Sequence, residues 1–350
     1  MSVLLNDIVR EDISRILGCC DLSPLDSRDV LITGANGHIA SYLAITLAEA
    51  RKRGLADIRL TILSRSLPRM RESFGEYIEA GLVDVLAQDV TSPLPPALSF
   101  DYIFHFAGNA SPHFIATDPI GILRANIQGA FNMADTCLRR HDSKLIFAST
   151  REVYGANLTD QVLTETSFGS LDPLDPRSCY PESKRAAESI IEAYHIQHAL
   201  RYTIMRIAHV YGPGMKLSGD GRVMSDFLAN AMHKEPIRLN SDGSALRSFC
   251  YITDCIRAIL MAALTPEDAG IYNLSNETEE ISVGDLALTI GRLAGGIEVS
   301  MKPSDPASAG LYCAYKRKPL DCSRLLSLGW KPEVLLSAGI DRTLRGSVPD

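Results

Sequence analysis

Tyr180 and Lys184 stand four residues apart in "YPESK", ahead of "RAAESIIEAYHIQH", which reads as a helix. A helix beginning near Pro181 puts the two side chains one turn apart on the same side. A phenol beside an ammonium has a chemical use. The cation stabilises phenolate and draws a tyrosine pKa from about 10 toward neutrality, making a base for alcohol protons. An isolated Tyr-x-x-x-Lys also arises often by chance, as an ordinary surface pair, so other features must support it. The second group is "TGANGHIA", after the apolar run that begins at Asp29. Gly34 and Gly37 can take backbone angles closed to other residues and let the main chain approach a pyrophosphate. Ala40 fills the third small-residue position, and the following helix would offer its first N–H groups to the anion.

Both groups need a scaffold, and the chain supplies a regular one. After the first strand at Asp29, "IRLTILSRS" and "LVDVLAQDV" read as the second and third. "FDYIFHFAG" is a fourth, followed by the helical "GILRANIQGAFNMADTCLRR". "SKLIFAST" is a fifth, then comes the helix after Tyr180, and "RYTIMRIAHVYG" is a sixth. Strands and helices alternating in this way predict an α/β fold with a doubly wound parallel sheet. Such sheets bind ligands beyond the carboxyl ends of their strands. Those ends carry Gly34, Ser64, Asp89, Ala107, Thr150 and His209. Beyond residue 212 the pattern is less regular and turn-rich, which suggests a smaller lobe rather than an independent domain. The expected division is a helical extension at 1–27, a dinucleotide-binding domain at 28–211 and 250–275, and a discontinuous substrate lobe at 212–249 and 276–350.

The 350 residues are 46% hydrophobic and 22% charged, ordinary values for a globular protein with a large core. A net charge of −7 disfavours nonspecific nucleic-acid binding. No stretch is apolar for the roughly 20 residues a membrane span needs. The amino terminus carries acids early and lacks a signal-like layout; its Ile8, Ile13, Ile16 and Leu17 predict an amphipathic helix. The eight cysteines show no Cys-x-x-Cys pairing, so neither structural zinc nor a disulfide framework is expected. A cytoplasmic protein without a metal fits this composition.

Taken together, the motifs resemble those of the extended short-chain dehydrogenase/reductase family, the NAD-dependent epimerases and dehydratases of nucleotide sugars. They are "TGANGHIA", "QDV", "HFAGNASP", "FASTREVYG", "YPESK", "VYGPG", "DGRVMSDF" and "GSALRSFCYITD", spread over roughly residues 28 to 340. The resemblance implies oxidation of a sugar hydroxyl, usually at C4, by hydride transfer to a bound nicotinamide. It assigns Tyr180 as the base and Lys184 as the group that holds the nicotinamide ribose and lowers the phenol's pKa. Thr150 matches the residue that hydrogen-bonds the reacting oxygen. Gly34, Asn36, Gly37, His38 and Ile39 match the cofactor-binding turn, Asp89 and Val90 the adenine contacts, and Ala107 the backbone on the nicotinamide side. Ser64 stands where NAD-preferring members usually carry an acid, and Arg65 beside it could meet a 2′-phosphate. NAD is the expected cofactor, with NADP left open by that pair.

The triplet Thr150-Arg151-Glu152 bears on the reaction. In the similar 4,6-dehydratases the middle residue is an aspartic acid that protonates the leaving hydroxyl, which Arg151 cannot do. The pattern is closest to UDP-glucuronate decarboxylases, which keep the glutamate and carry an arginine matching Arg222. A 4-epimerase, a C4 dehydrogenase and an inactive nucleotide-binding module are the alternatives. By the same resemblance Arg247 matches the diphosphate-binding arginine, and Ser111, Asn126, Tyr154 and His209 line the pocket. A homodimer is also implied, built on Ala130, Met133 and Cys137 of the earlier long helix and Ala186, Ala187, Ile190, Ile191 and Tyr194 of the later one. The alternative is that both helix faces cover the subunit's own sheet.

Overall fold

The computed structural model describes residues 6–156, 161–217, 219–239, 241–301 and 318–347. In chain order, α1 (Asp7–Cys19) precedes β1 (Asp29–Thr33), which turns into α2 (His38–Lys52). β2 (Arg59–Ser64), α3 (Leu67–Glu79) and β3 (Val83–Ala87) follow. β4 (Tyr102–His105) leads through the short α4 (Pro112–Thr117) into the long α5 (Pro119–Cys137). Next come β5 (Lys144–Thr150), α6 (Cys179–His198) and β6 (Arg201–Ile207). The segment after that contains β7 (His209–Tyr211), α7 (Val223–Met232), β8 (Ile237–Leu239) and β9 (Leu246–Tyr251). It continues with α8 (Ile252–Ala263), β10 (Ala269–Leu274), β11 (Glu280–Ser282) and α9 (Val283–Leu293). The described chain ends with β12 (Val299–Met301), α10 (Ser323–Ser327) and α11 (Leu336–Gly346).

Seven of these strands form one sheet in the order β10-β6-β5-β4-β1-β2-β3, with every neighbouring pair parallel. This is the doubly wound sheet expected from the alternation, extended by β10 beside β6. Strands covered by helices on both faces are apolar nearly throughout, as "DVLIT" and "KLIFAST" are. The register sets Thr33 level with His105, and Thr150 level with Ile207. The carboxyl ends of the central strands therefore finish together, on the edge where the candidate site residues collect. A smaller three-stranded sheet, β11-β9-β7, and the pair β12-β8 flank it.

Two local features shape the site. The helix expected from Pro181 starts at Cys179, because a 3-10 turn at Pro176–Ser178 feeds directly into it. Asp175 caps that turn, its carboxylate accepting from the Arg177 amide at 2.9 Å. Tyr180 thus lies inside the first turn of α6. At the other end of the chain, α1 packs on α2, α8 and α11, with Val9, Ile13 and Ile16 in the main core. Its buried Asp12 accepts from Arg342 at 2.7 Å and from the Tyr251 phenol at 2.7 Å. Burial pushes the Asp12 carboxyl above its usual range, against the pull of Tyr251 and Arg342.

The helix faces named above for a dimer lie largely inside the subunit. Ala130, Met133, Cys137, Ala187 and Ile191 are buried in the cluster between α5, α6 and the sheet. No helix of the described residues is long and apolar enough to cross a membrane.

Candidate active site

The turn after β1 is built on one glycine that no other residue replaces easily. Gly34 has φ +72°, and a Cβ there would lie 2.8 Å from both Cα and N of Ala107. Gly37, by contrast, has an ordinary φ of −83°, so its smallness serves space: a Cβ would lie 3.1 Å from the Gly34 carbonyl oxygen. Thr33 fastens this turn to the loop after β4. Its Oγ1 accepts from the amides of Phe106 and Ala107 at 3.2 Å each. It also bonds His105 Nδ1 at 2.8 Å. With two donors already on the hydroxyl oxygen, its own proton goes to Nδ1, which leaves the imidazole proton on Nε2. Burial first, and the Lys184 charge second, hold His105 down to about 3, so it is neutral. His105 and Thr33 were not singled out in the sequence; they are 72 positions apart and only sheet register joins them.

Asn36, Ser64, Arg65 and Asp89 gather on the β2–β3 side of the turn. The Asn36 amide donates to Ser64 Oγ at 2.7 Å, while its buried Oδ1 has no hydrogen-bond partner. Asp89 accepts from the Thr91 amide at 2.9 Å and hydroxyl at 2.8 Å. Burial raises the Asp89 carboxyl, but the Thr91 bonds and then Arg65 outweigh it, and the net shift is downward. The exposed Arg65 pairs with Asp89 at 3.7 Å. Val90 is buried, its carbonyl held by the Asn132 amide at 2.8 Å. Ile39, in the first turn of α2, packs against the main core.

On the other side of the turn, Thr150 ends β5 and Tyr180 faces it from α6, each 6% exposed. The Thr150 side chain lies near enough to the phenol to favour its ionised form. Burial pushes Tyr180 above its usual range and Glu152 adds to this, while Thr150 and Arg222 pull it down. Lys184 points its Nζ to the Ala148 carbonyl at 2.7 Å, 4.5 Å from the Phe147 ring centroid. Burial draws this ammonium down to about 7, with Glu188 opposing. Without a ligand both groups are thus driven toward their neutral forms. The lowered phenol pKa expected from the sequence is absent here: burial first and Glu152 second raise it, and Lys184 is directed to the Ala148 carbonyl instead.

Glu152 and Arg222 are the two charges that act on Tyr180. The Glu152 amide donates to Thr150 Oγ1 at 3.2 Å, and its carboxylate pairs with Arg177 at 3.4 Å. Arg222, the N-cap residue of α7, is bound through Nε by the buried Asp220 carboxylate. Asp220 also accepts from Ser225 at 3.2 Å, and its carbonyl from Ser111 at 2.9 Å. The Arg222 charge is felt by His38 as well, which burial mainly holds down to about 3 and which bonds the Pro213 carbonyl at 3.1 Å. From the start of α7, the Arg222 charge therefore acts on residues in the first turns of both α2 and α6. Asn126 lies beneath, fully buried, donating to Ser183 at 2.9 Å with Oδ1 unpartnered. A Cβ on Gly108 would come 2.5 Å from that Oδ1 and 3.5 Å from Lys184 Nζ.

Four residues have their partners outside this cluster. Tyr154 is buried in a framework network, donating to Asn273 at 2.6 Å and accepting from Arg206 at 3.1 Å. Arg151 donates to the Lys318 carbonyl at 3.0 Å. His209 belongs to the small sheet, its ring 5.7 Å from Phe249, and Arg247 lies on the adjoining strand β9. Arg177 is the neighbour of Tyr180 that the sequence did not single out, although "PRSCY" sets it three positions earlier.

A family model described as "NAD dependent epimerase/dehydratase family" matches residues 30–275. The chain belongs to this family. Among curated relatives, UDP-glucuronic acid decarboxylase 3 of Arabidopsis thaliana is 34% identical over 330 residues, 91% of this chain and 90% of that protein. UDP-glucuronic acid decarboxylase 1 of Xenopus tropicalis is 31% identical over 92% of this chain and 73% of its own length. The fold is shared with a solved UDP-N-acetylglucosamine 4-epimerase from Methanobrevibacter ruminantium (TM-score 0.78, 22% identity, 92% of this chain and 98% of that chain). It is also shared with UDP-glucuronic acid 4-epimerase from Bacillus cereus, solved with UDP-glucuronic acid and NAD (TM-score 0.77, 21% identity, 91% and 98%). This family member is an NAD-dependent enzyme, and its residues fit that cofactor. The Gly34–Gly37 turn leaves backbone room, and the orphaned Asn36 Oδ1 is a buried acceptor that a ribose hydroxyl can satisfy.

Proposed function

We propose that the protein decarboxylates UDP-glucuronate after oxidising the sugar at C4. One observation carries the choice: buried Thr150 and Tyr180 come together at the end of β5, with arginine at position 151 where a dehydratase needs an acid. The extent of identity to UDP-glucuronic acid decarboxylases supports it. When bound, NAD accepts the C4 hydride and later returns it. Tyr180 takes the C4 hydroxyl proton, with Thr150 bonded to the reacting oxygen. Lys184, lifted from Ala148, holds the ribose and favours the phenolate. The resulting 4-keto acid breaks its C5–C6 bond, carbon dioxide leaves, and the electron pair moves to the C4 oxygen as an enolate. Tyr180, now a neutral phenol, and Thr150 donate to that oxygen. Glu152 and Arg222 position the sugar, and the proton that C5 takes up comes from solvent, through a water that the Glu152 carboxylate orients. Asp89, Val90 and Ala107 form the cofactor's side of the site; Ser111, Asn126, His209 and Arg247 form the substrate's.

The test supplies UDP-glucuronate and UDP-glucose separately, following carbon dioxide, nicotinamide absorbance and product mass. Carbon dioxide from UDP-glucuronate with no lasting nicotinamide reduction is expected. Lasting reduction indicates a dehydrogenase instead, and a C4-inverted sugar of unchanged mass an epimerase. Loss of water from UDP-glucose overturns the reasoning from Arg151.

We also infer a cytoplasmic homodimer, with 212–249 and 276–350 serving as the nucleotide-sugar lobe. The contact surface is the outer side of α5 and α6 rather than their buried faces. Ile120 and Phe131 on α5, Leu138 at its C-cap and Ile196 on α6 are exposed, and Phe131 meets Tyr194 edge-on across the two helices. Light scattering at micromolar concentration should give twice the chain mass; a monomer mass excludes the dimer.

A further inference from the structure

Glu152 presents a problem at its own site. A carboxylate placed beside Tyr180 opposes formation of the phenolate that the proposed mechanism needs, and Arg222 is shared with the buried Asp220. The residue that meets Glu152 is Arg177, at 3.4 Å between Nη2 and Oε2, with both side chains less than a third exposed. Its placement is built rather than incidental. The Arg177 amide is fixed by the Asp175 cap at 2.9 Å, and its 3-10 turn continues without a break into α6. Arg177 and Tyr180 therefore move as one rigid piece, while Glu152 is fixed to Thr150 through its amide. The two reacting-side groups, Thr150 and Tyr180, come from elements that Arg177 and Glu152 tie together.

We propose that Arg177 is a positioning residue for the reaction, anchoring the Glu152 carboxylate and balancing its charge near Tyr180. The charged and titratable groups facing Tyr180 are then Glu152 with Arg177 from the turns, Arg222 with Asp220 from the start of α7, and Lys184 and Cys179 on its own helix. Removing Arg177 exposes Tyr180 to an uncompensated negative charge, so the phenol ionises at higher pH and less of it is base at neutral pH. This rests on Tyr180 being the base, as in the reading above, but not on the identity of the sugar.

The test therefore reads the phenol directly. Phenolate absorbance is titrated in the NAD-bound protein, with Tyr180→Phe as the subtraction that isolates one of the 12 tyrosines. In R177Q the Tyr180 midpoint is expected about one pH unit higher than in the wild type, with R177K restoring most of the shift. In an E152Q background the same R177Q change should move the midpoint little, because Arg177 acts through Glu152. An R177Q midpoint equal to wild type overturns the proposal, as does an equal shift in both backgrounds. If R177Q fails to fold while E152Q/R177Q folds, the uncompensated carboxylate is itself exposed as the cause, which supports the pair. The substrate panel can fail without touching this titration, and the titration can fail while carbon dioxide is still released.

Discussion

Tyr180→Phe should lower turnover by at least about 10²-fold, the contribution expected of a positioned general base, while NAD remains bound. The hydroxyl is the only part removed, and it faces Thr150 at the end of β5 in a buried setting. Phenylalanine fills the same space among Ile115, Ile122 and Cys179, so the fold should hold. The cost to stability is at most that of one buried polar interaction, about 1 kcal/mol. Lys184, engaged with Ala148, does not depend on the phenol for its place. Steady-state turnover, measured with NAD occupancy of the purified variant, separates the two effects. Turnover close to wild type would assign the proton to another group, and loss of NAD would make Tyr180 a cofactor residue first.

The structure shows why this pair was visible in the sequence and why its electrostatics were not. Four-residue spacing on a helix fixes which side chains share a face, so Tyr180 and Lys184 could be paired from "YPESK" alone. It does not fix where a long side chain ends. Lys184 ends at Ala148, a carbonyl on a different element, and both groups are buried more deeply than spacing can convey. The parallel sheet was legible because strands covered on both faces read as apolar runs. Its consequences across the sequence were not. Thr33 with His105, and Glu152 with Arg177, are pairs made by register and by a turn. The resemblance puts Tyr154 in the pocket lining, while its partners Arg206 and Asn273, 52 and 119 positions away, tie its hydroxyl to the framework.

Amphipathic helices carry the same limit. The apolar faces of α5 and α6 announced that something covers them, and the sheet of the same subunit does. Periodicity reports that a face is buried and is silent on the partner. The N-terminal helix is the converse case. Its Ile13 and Ile16 announced a covered face, but Asp12 on that face has no meaning until Arg342, 330 positions later, is seen beside it. Charged residues on an apolar face are legible only with the fold in hand.

Gly34→Ala should damage cofactor binding and stability together, whereas Gly37→Ala should leave the fold nearly intact. At Gly34 the backbone has φ +72°, which costs an L-residue about 1–2 kcal/mol. The added methyl also meets backbone, Cα and N of Ala107 at 2.8 Å, and backbone cannot step aside as a side-chain tip can. Relieving such an overlap typically costs about 1–3 kcal/mol more. The only escape is to part the β1 turn from the β4 loop, which stretches the Thr33 bonds to the Phe106 and Ala107 amides. Those two segments form the floor proposed for the dinucleotide, so NAD affinity should fall at least about tenfold, the equivalent of 1.4 kcal/mol. At Gly37 φ is −83° and the single near contact is 3.1 Å, to the Gly34 carbonyl oxygen. A shift of a few tenths of an ångström suffices there, and the melting temperature should barely move. Thermal melts and NAD titration of the two variants side by side decide the matter. Equal losses in both would mean that the turn is governed by smallness alone, and that the left-handed backbone at Gly34 has no part in holding the cofactor.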